Sequence, residues 1–242
     1  MDSWSYLCGL IAADGHLESN GCIALAQKDR RFIDWLVEFV RNSNIKISSV
    51  FFDRSAGVWK IKMRDKDFYS YLLSNGVRTG KKSYLLKPPI RCDPLWYIVG
   101  FIDGDGWIEQ VKKKANGKTY YYLRIGIKTK SRELRDWMRQ VLHSLGIITS
   151  KADKKDGYEI HIDRNAWIVA LYLQNPAHKE RLSRIEDDRI KVSSYLMNRI
   201  FTYAFLPTRD HGRETPGLHA GYNGGDSGIR TRKGEAIPQT PP

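Results

Sequence analysis

Apolar positions along this chain switch between a helical period and a strand period in an order that occurs twice. Residues 2–14 read as an apolar helix, with Asp2 or Ser3 placed to cap it. A hairpin follows, turning at Ser19-Asn20-Gly21 and returning through residues 22–28. Residues 30–43 then give an amphipathic helix with Phe32, Trp35, Leu36, Phe39 and Val40 on one side, and Asn44 stands where a C-terminal cap belongs. A second hairpin spans residues 46–64, turning at Ser55-Ala56-Gly57, and a helix over residues 67–75 closes the set.

The same succession starts again near Pro94, a residue suited to the first turn of a helix. Asp14 falls on Asp105, QKDRRFIDW (27–35) on TKSRELRDW (129–137), Asn44-Ile45 on Gly146-Ile147, and Ile61 and Met63 on Ile160 and Ile162. The spacing between equivalents changes only where hairpins can change length, as expected of a duplicated fold. Beyond it, residues 179–201 read as a further helix with Leu182, Ile185, Val192, Leu196 and Ile200 on one side. The fold class is therefore α+β, with two pseudo-symmetric αββαββα halves. The expected domains are a first repeat over 1–77, a basic linker over 78–94, a second repeat with its C-terminal helix over 95–206, and a disordered Gly- and Pro-rich tail over 207–242.

Alternation within the strands assigns their faces. Tyr121, Leu123, Ile125 and Ile127 share one face, and Tyr120, Tyr122, Arg124 and Lys128 share the other. Ile61 and Met63 alternate with Lys60, Lys62 and Arg64, and Ile160 and Ile162 with Glu159, His161 and Asp163. Each half is expected to be a helix-backed antiparallel sheet with one polar face free.

Charge gives that free face a partner. A formal net charge of +13 implies a polyanion, most simply nucleic acid. Residues 78–91 and 110–132 are basic without acid nearby in the sequence; the second carries Lys112, Lys113 and Lys114 beside Tyr120, Tyr121 and Tyr122. A two-stranded ribbon fits the DNA major groove. No long apolar run, lipidation motif or signal peptide is evident, which argues against a membrane. Cys8, Cys22 and Cys92 fit neither a disulfide framework nor a metal motif, so an intracellular, reducing compartment is expected.

The chemistry lies at two helix ends. Residues 96–102 form an apolar helix that breaks into Asp103-Gly104-Asp105-Gly106, with Gly106 expected to stop it in the left-handed conformation. A carboxylate beside the exposed carbonyls of a helix end is electrostatically disfavoured but suits a hard divalent cation. The repeat selects Asp105, matched by Asp14, over Asp103, matched by Ala12. Small residues (Cys8, Gly9, Ala12 and Ala13; Gly100 and Gly104) would let the two helices pair closely and bring both acids together between the sheets.

Leu7-Cys8-Gly9-Leu10-Ile11-Ala12-Ala13-Asp14-Gly15 and Ile98-Val99-Gly100-Phe101-Ile102-Asp103-Gly104-Asp105-Gly106 resemble the two motifs of a single-chain LAGLIDADG homing endonuclease, a likeness that spans residues 2–200. The resemblance implies paired motif helices at the interface and a saddle of two sheets on double-stranded DNA. It also implies a monomer that cuts both strands of a long asymmetric site with Mg²⁺, two or three ions being shared by Asp14, Asp105 and the carbonyls of Ala13 and Gly104. Gln27 and Lys28 match the family's Gln-Lys pair near the scissile phosphates, which the second half replaces with Thr129 and Lys130. A catalytic lysine after the third helix would match Lys82, with Lys81 and Lys87 as alternatives, and Lys179 is the nearest counterpart in the second half. DNA contacts are expected from Lys60, Lys62, Arg64, Lys112, Lys113, Lys114, Tyr120, Tyr122, Arg124, Lys128 and His161. Two alternatives fit the same charge and fold: a maturase acting on intron RNA, and a DNA-binding regulator without activity.

Overall fold

The computed structural model describes residues 1–80 and 86–185. Lys81 and Lys82, residues 186–201 of the expected last helix, and the tail over 207–242 lie outside the described residues.

Every long helix begins on a side-chain cap. In α1 (Ser3–Asp14) the cap is Asp2, which accepts from the Ser5 amide at 3.1 Å; in α4 (Pro94–Asp105) it is Asp93, accepting from the Trp96 amide at 2.9 Å. Asp29, Asp65 and Ser131 do the same for α2 (Arg30–Asn42), α3 (Lys66–Ser74) and α5 (Arg132–Ser144). At the far ends of α2 and α5, Asn44 and Gly146 both take the left-handed conformation, with φ of 57° and 73°.

The strands form two four-stranded antiparallel sheets. One contains β1 (Gly15–Leu17), β2 (Ile23–Gln27), β3 (Ile47–Asp53) and β4 (Val58–Met63) in the order β1-β2-β4-β3. The other contains β5 (Gly106–Ala115), β6 (Lys118–Thr129), β7 (Ile148–Lys154) and β8 (Gly157–Arg164) in the order β5-β6-β8-β7. Register confirms the repeat residue by residue: Ile23 pairs with Met63 and Leu25 with Ile61, just as Ile125 pairs with Ile162 and Ile127 with Ile160. All eight side chains are buried against the helices. The hairpin β5–β6 is the one that outgrows its counterpart, and its tip carries the exposed Tyr120 and Tyr121.

The centre of the fold is the contact between α1 and α4, both buried along most of their length. A Cβ on Gly9 would collide with the backbone oxygen of Tyr97, and one on Gly100 with that of Tyr6. The two collisions are the same contact seen from each half, because Gly9 corresponds to Gly100 and Tyr6 to Tyr97. The small residues are therefore a requirement of backbone-to-backbone packing.

Two expectations need correction. Gly106 is extended, with φ −86° and ψ 169°, and so is its equivalent Gly15. Each is the first residue of a strand, so the chain leaves the helix straight into the sheet. Glycine is needed there because a Cβ would press on Ile102 or Ile11. The predicted helix from residue 179 begins earlier, as α7 (Pro176–Ser183), after a single short turn α6 (Ala166–Ala170). Pro176 starts α7 and Asn175 caps it, a signal that the apolar spacing further along had obscured.

One of the buried positions at which the halves differ is that of Asp103. Asp103 is fully buried and accepts from Tyr6 Oη at 2.9 Å, from the Gln174 amide at 2.6 Å and from His178 Nδ1 at 3.0 Å. Tyr97 is the equivalent of Tyr6, and its hydroxyl has no partner among the described residues, because Ala12 stands where an acid would be. Burial, with Asp103 adding to it, raises the Tyr6 pKa well above the ordinary phenol, so the hydroxyl stays a donor. Replacing each tyrosine with Phe is therefore expected to have opposite effects. Tyr6→Phe should cost about 1.5–3 kcal/mol, while Tyr97→Phe should be neutral or stabilise by about 1 kcal/mol. Urea denaturation of the two variants checks this, and equal losses would contradict it.

Candidate active site

Asp14 is the last residue of α1 and Asp105 the last of α4. The two final turns touch: a Cβ on Gly104 would lie 2.7 Å from that of Ala13. Both carboxylates therefore leave the helix pair at one end, each next to last-turn carbonyls that lack donors within their helix.

The sheets then supply different neighbours to the two acids. Because β1 starts directly after Asp14 and Gly15 pairs with Leu25, the end of β2 returns to the end of α1. Gln27 accordingly donates from Nε2 to Asp14 Oδ2 at 2.6 Å. In the second half the corresponding Thr129 is buried and its hydroxyl accepts from the Ser131 amide at 3.2 Å. Lys128 stands in the vicinity of Asp105 instead, bound to Asp156 through a 2.6 Å ion pair. Burial raises the Asp105 pKa above the usual carboxylate value, and the positive charge of Lys128 partly offsets this. A cleft of about 180 Å³ opens here, bounded by Ala12 and Ala13 of α1 and by Asp105, Lys128, Thr129 and Lys130 of the second half. Asp156 also lines it. Sequence reasoning missed this residue, although Asp156-Gly157 is a hairpin-turn signal.

Lys28 and Lys130 are exposed just past the ends of β2 and β6. Lys179 is partly buried with the Asp103 group, its Nζ 3.5 Å from Gln174 Oε1. Burial lowers its pKa, and Asp103 pulls it part of the way back. The helix ends themselves offer oxygen donors: the carboxylates of Asp14 and Asp105, and the carbonyls of Ala13 and Gly104 that precede them in the chain. Such a set fits a hard divalent cation that keeps some of its water. No cluster of three or more His, Cys, Asp or Glu side chains suited to a metal occurs among the described residues.

The expected DNA-contact residues divide between faces. Lys60 and Lys62 lie opposite Ala26 and Ala24, on the open face of the first sheet, and Arg64 is exposed just beyond β4. Tyr120, Tyr122, Arg124, Lys128 and His161 lie on the open face of the second, and Lys113 joins them opposite Tyr120. Lys112 and Lys114 do not. They pair with Tyr121 and Thr119 on the opposite side of the hairpin, where Lys112 Nζ sits 5.8 Å from the Tyr121 ring. Within residues 110–132 the expectation of uncompensated charge is corrected at Arg124 and Lys128, and acids also reach two bases of the first sheet. Lys60 is bound by Asp53 at 2.6 Å, Lys62 faces Glu18 at 3.8 Å, and Arg124 is held by Asp163 and Glu109. Acids distant in sequence reach these bases across the strands.

Comparison with known proteins follows from this geometry. Residues 93–185 match the family described as LAGLIDADG-like domain. The LAGLIDADG fold extends over both halves. The meganuclease I-AabMI bound to uncleaved DNA is 10% identical with a TM-score of 0.51, over 82% of this chain and 92% of that one. The homing endonuclease I-WcaI bound to its DNA recognition sequence is 13% identical with a TM-score of 0.50, over 74% of this chain and 84% of that one. Full-length DUF199/WhiA from Thermatoga maritima gives 16% identity and a TM-score of 0.46, over 84% and 68% of the two chains. No curated protein is significantly similar in sequence. This chain thus shares the LAGLIDADG fold with homing endonucleases. Among its described residues, no helix is long and apolar enough to cross a membrane.

Proposed function

We propose that this LAGLIDADG chain is a site-specific homing endonuclease that breaks both strands of a long asymmetric DNA target by Mg²⁺-dependent phosphodiester hydrolysis. The observation that carries the reading is the emergence of Asp14 and Asp105 from touching helix ends between two open-faced sheets. A protein that only binds DNA gains nothing from two carboxylates turned toward phosphates. That DNA occupies I-AabMI and I-WcaI, which share the fold, supports the choice of substrate.

In this reading Asp14, Asp105 and the carbonyls of Ala13 and Gly104 would hold the metal. A bound divalent ion supplies activation of water and neutralisation of the leaving oxygen. Gln27 orients the Asp14 carboxylate. Lys28, Lys130 and Lys82 present positive charge to the phosphates, and Tyr120, Tyr122, Arg124 and His161 face the bases. One chain supplies both acids, so a monomer suffices.

Cleavage of a randomised library of duplexes in Mg²⁺, with Ca²⁺ as a binding-only comparison, tests the proposal. Double-strand cuts confined to one long sequence are expected. Sites that are bound but never cut in Mg²⁺ would refute it.

A further inference from the structure

The bases on the open sheet faces are largely neutralised in pairs, which raises the question of where the surplus positive charge is usable. Beside the Asp105 cleft, and sharing Lys130 and Asp156 with it, lies a second pocket of about 330 Å³. It is formed by Lys130 past the end of β6, Lys154 at the end of β7, the turn residues Lys155 and Asp156, and Gly157 and Tyr158 at the start of β8. Its single acid is already committed, since Asp156 holds Lys128 at 2.6 Å and its pKa is lowered by that bond. Among the described residues Lys154 pairs with Glu159 at 3.9 Å, and Glu159 also faces His161 at 3.2 Å. Three lysines therefore line a pocket whose one acid is already paired.

The corresponding turn of the first half is built differently. There the turn between β3 and β4 is closed by Asp53, which accepts from the Ser55 and Ala56 amides and holds Lys60. The second half has instead a two-residue turn, Lys155-Asp156, that directly follows Lys154 at the end of β7.

We propose that the pocket of Lys130, Lys154 and Lys155 holds a backbone phosphate of duplex DNA next to the strand that enters the Asp105 cleft. Ammonium groups act on a phosphate as point charges, without the planar fork that reads a base edge. The contact positions the strand and carries no sequence information. The proposal rests on DNA being the substrate, not on its being cut.

The test uses the full chain in Ca²⁺, with duplex affinity measured across a range of salt. Lys154→Gln/Lys155→Gln is compared with Lys46→Gln/Lys66→Gln, two exposed lysines beside Asp65 and Asp67 that remove the same net charge. Each phosphate contact contributes about 0.9 to the slope of log affinity against log salt. The pocket variant should make that slope shallower by about 1, weakening target and unrelated duplexes alike, and the control should not. A pocket variant indistinguishable from the control would overturn the proposal, as would a loss confined to the target sequence. Tight binding of inorganic phosphate with an unchanged DNA slope would also overturn it, by assigning the pocket to a free anion. A wild-type chain that binds but never cuts would sink the endonuclease reading alone.

Discussion

Asp14→Asn and Asp105→Asn are each expected to lower Mg²⁺-dependent double-strand cleavage by more than about 100-fold, the range associated with losing only a supporting partner of a metal ligand. Neither change should unfold the protein, and Asp105→Asn should do the reverse. Burial holds the Asp105 pKa above its unfolded value. A carboxylate shifted in that direction binds more protons when folded. Stability therefore falls as pH rises from the unfolded toward the folded pKa, and the loss persists at neutral pH. Asparagine removes it. In metal-free buffer at pH 7 the Asp105→Asn variant should melt at or above the wild-type temperature while being inactive. Calorimetry alongside a plasmid linearisation assay separates the two effects. Either variant cutting at the normal rate would refute the assigned chemistry.

The largest expected loss of stability comes from two single methyl groups. Gly9→Ala and Gly100→Ala each place a Cβ against a backbone oxygen of the facing helix, which no rotamer change can relieve. A cost of about 3 kcal/mol for each follows from overpacking, or about 6–12 °C of melting temperature for a domain of this size. Gly104→Ala is the milder control, because its Cβ would lie 2.7 Å from Ala13 Cβ and 3.3 Å from the Leu10 oxygen, where Gly9 and Gly100 would meet a backbone oxygen at 1.9 and 2.0 Å. Equal melting of all three variants would show that the helix pair is looser than described.

The fold was legible because the repeat was. Equivalences drawn from Ile61, Met63, Ile160 and Ile162 reappear as strand register, since burial of one face fixes pairing to the residue. Helix ends were less legible where competing signals overlapped. The step from Asp105 into β5 leaves no room for a left-handed residue, so Gly106 follows the strand. For the candidate site, the contact of Gln27 with Asp14 follows from hairpin geometry, as do the positions of both acids at helix ends. What sequence could not show was charge pairing across strands. Arg124 finds Asp163 through the β6–β8 register, a neighbour that counting acids along residues 110–132 does not reach. The burial of Asp103 was equally hidden, because its partners come from residue 6 and from residues 174–178.

The orphan hydroxyl of Tyr97 has a meaning for how the chain can be divided. If the stretch from Pro94 to Ile185 paired with a copy of itself through the same helix contact, Tyr97 of each copy would take the place of Tyr6 and donate to Asp103 of the other. Both buried hydroxyls would then be satisfied. Two copies of the first half would instead set Tyr6 opposite Ala12 twice and leave both unsatisfied. The asymmetry at one helical position thus favours self-pairing of the second half over self-pairing of the first.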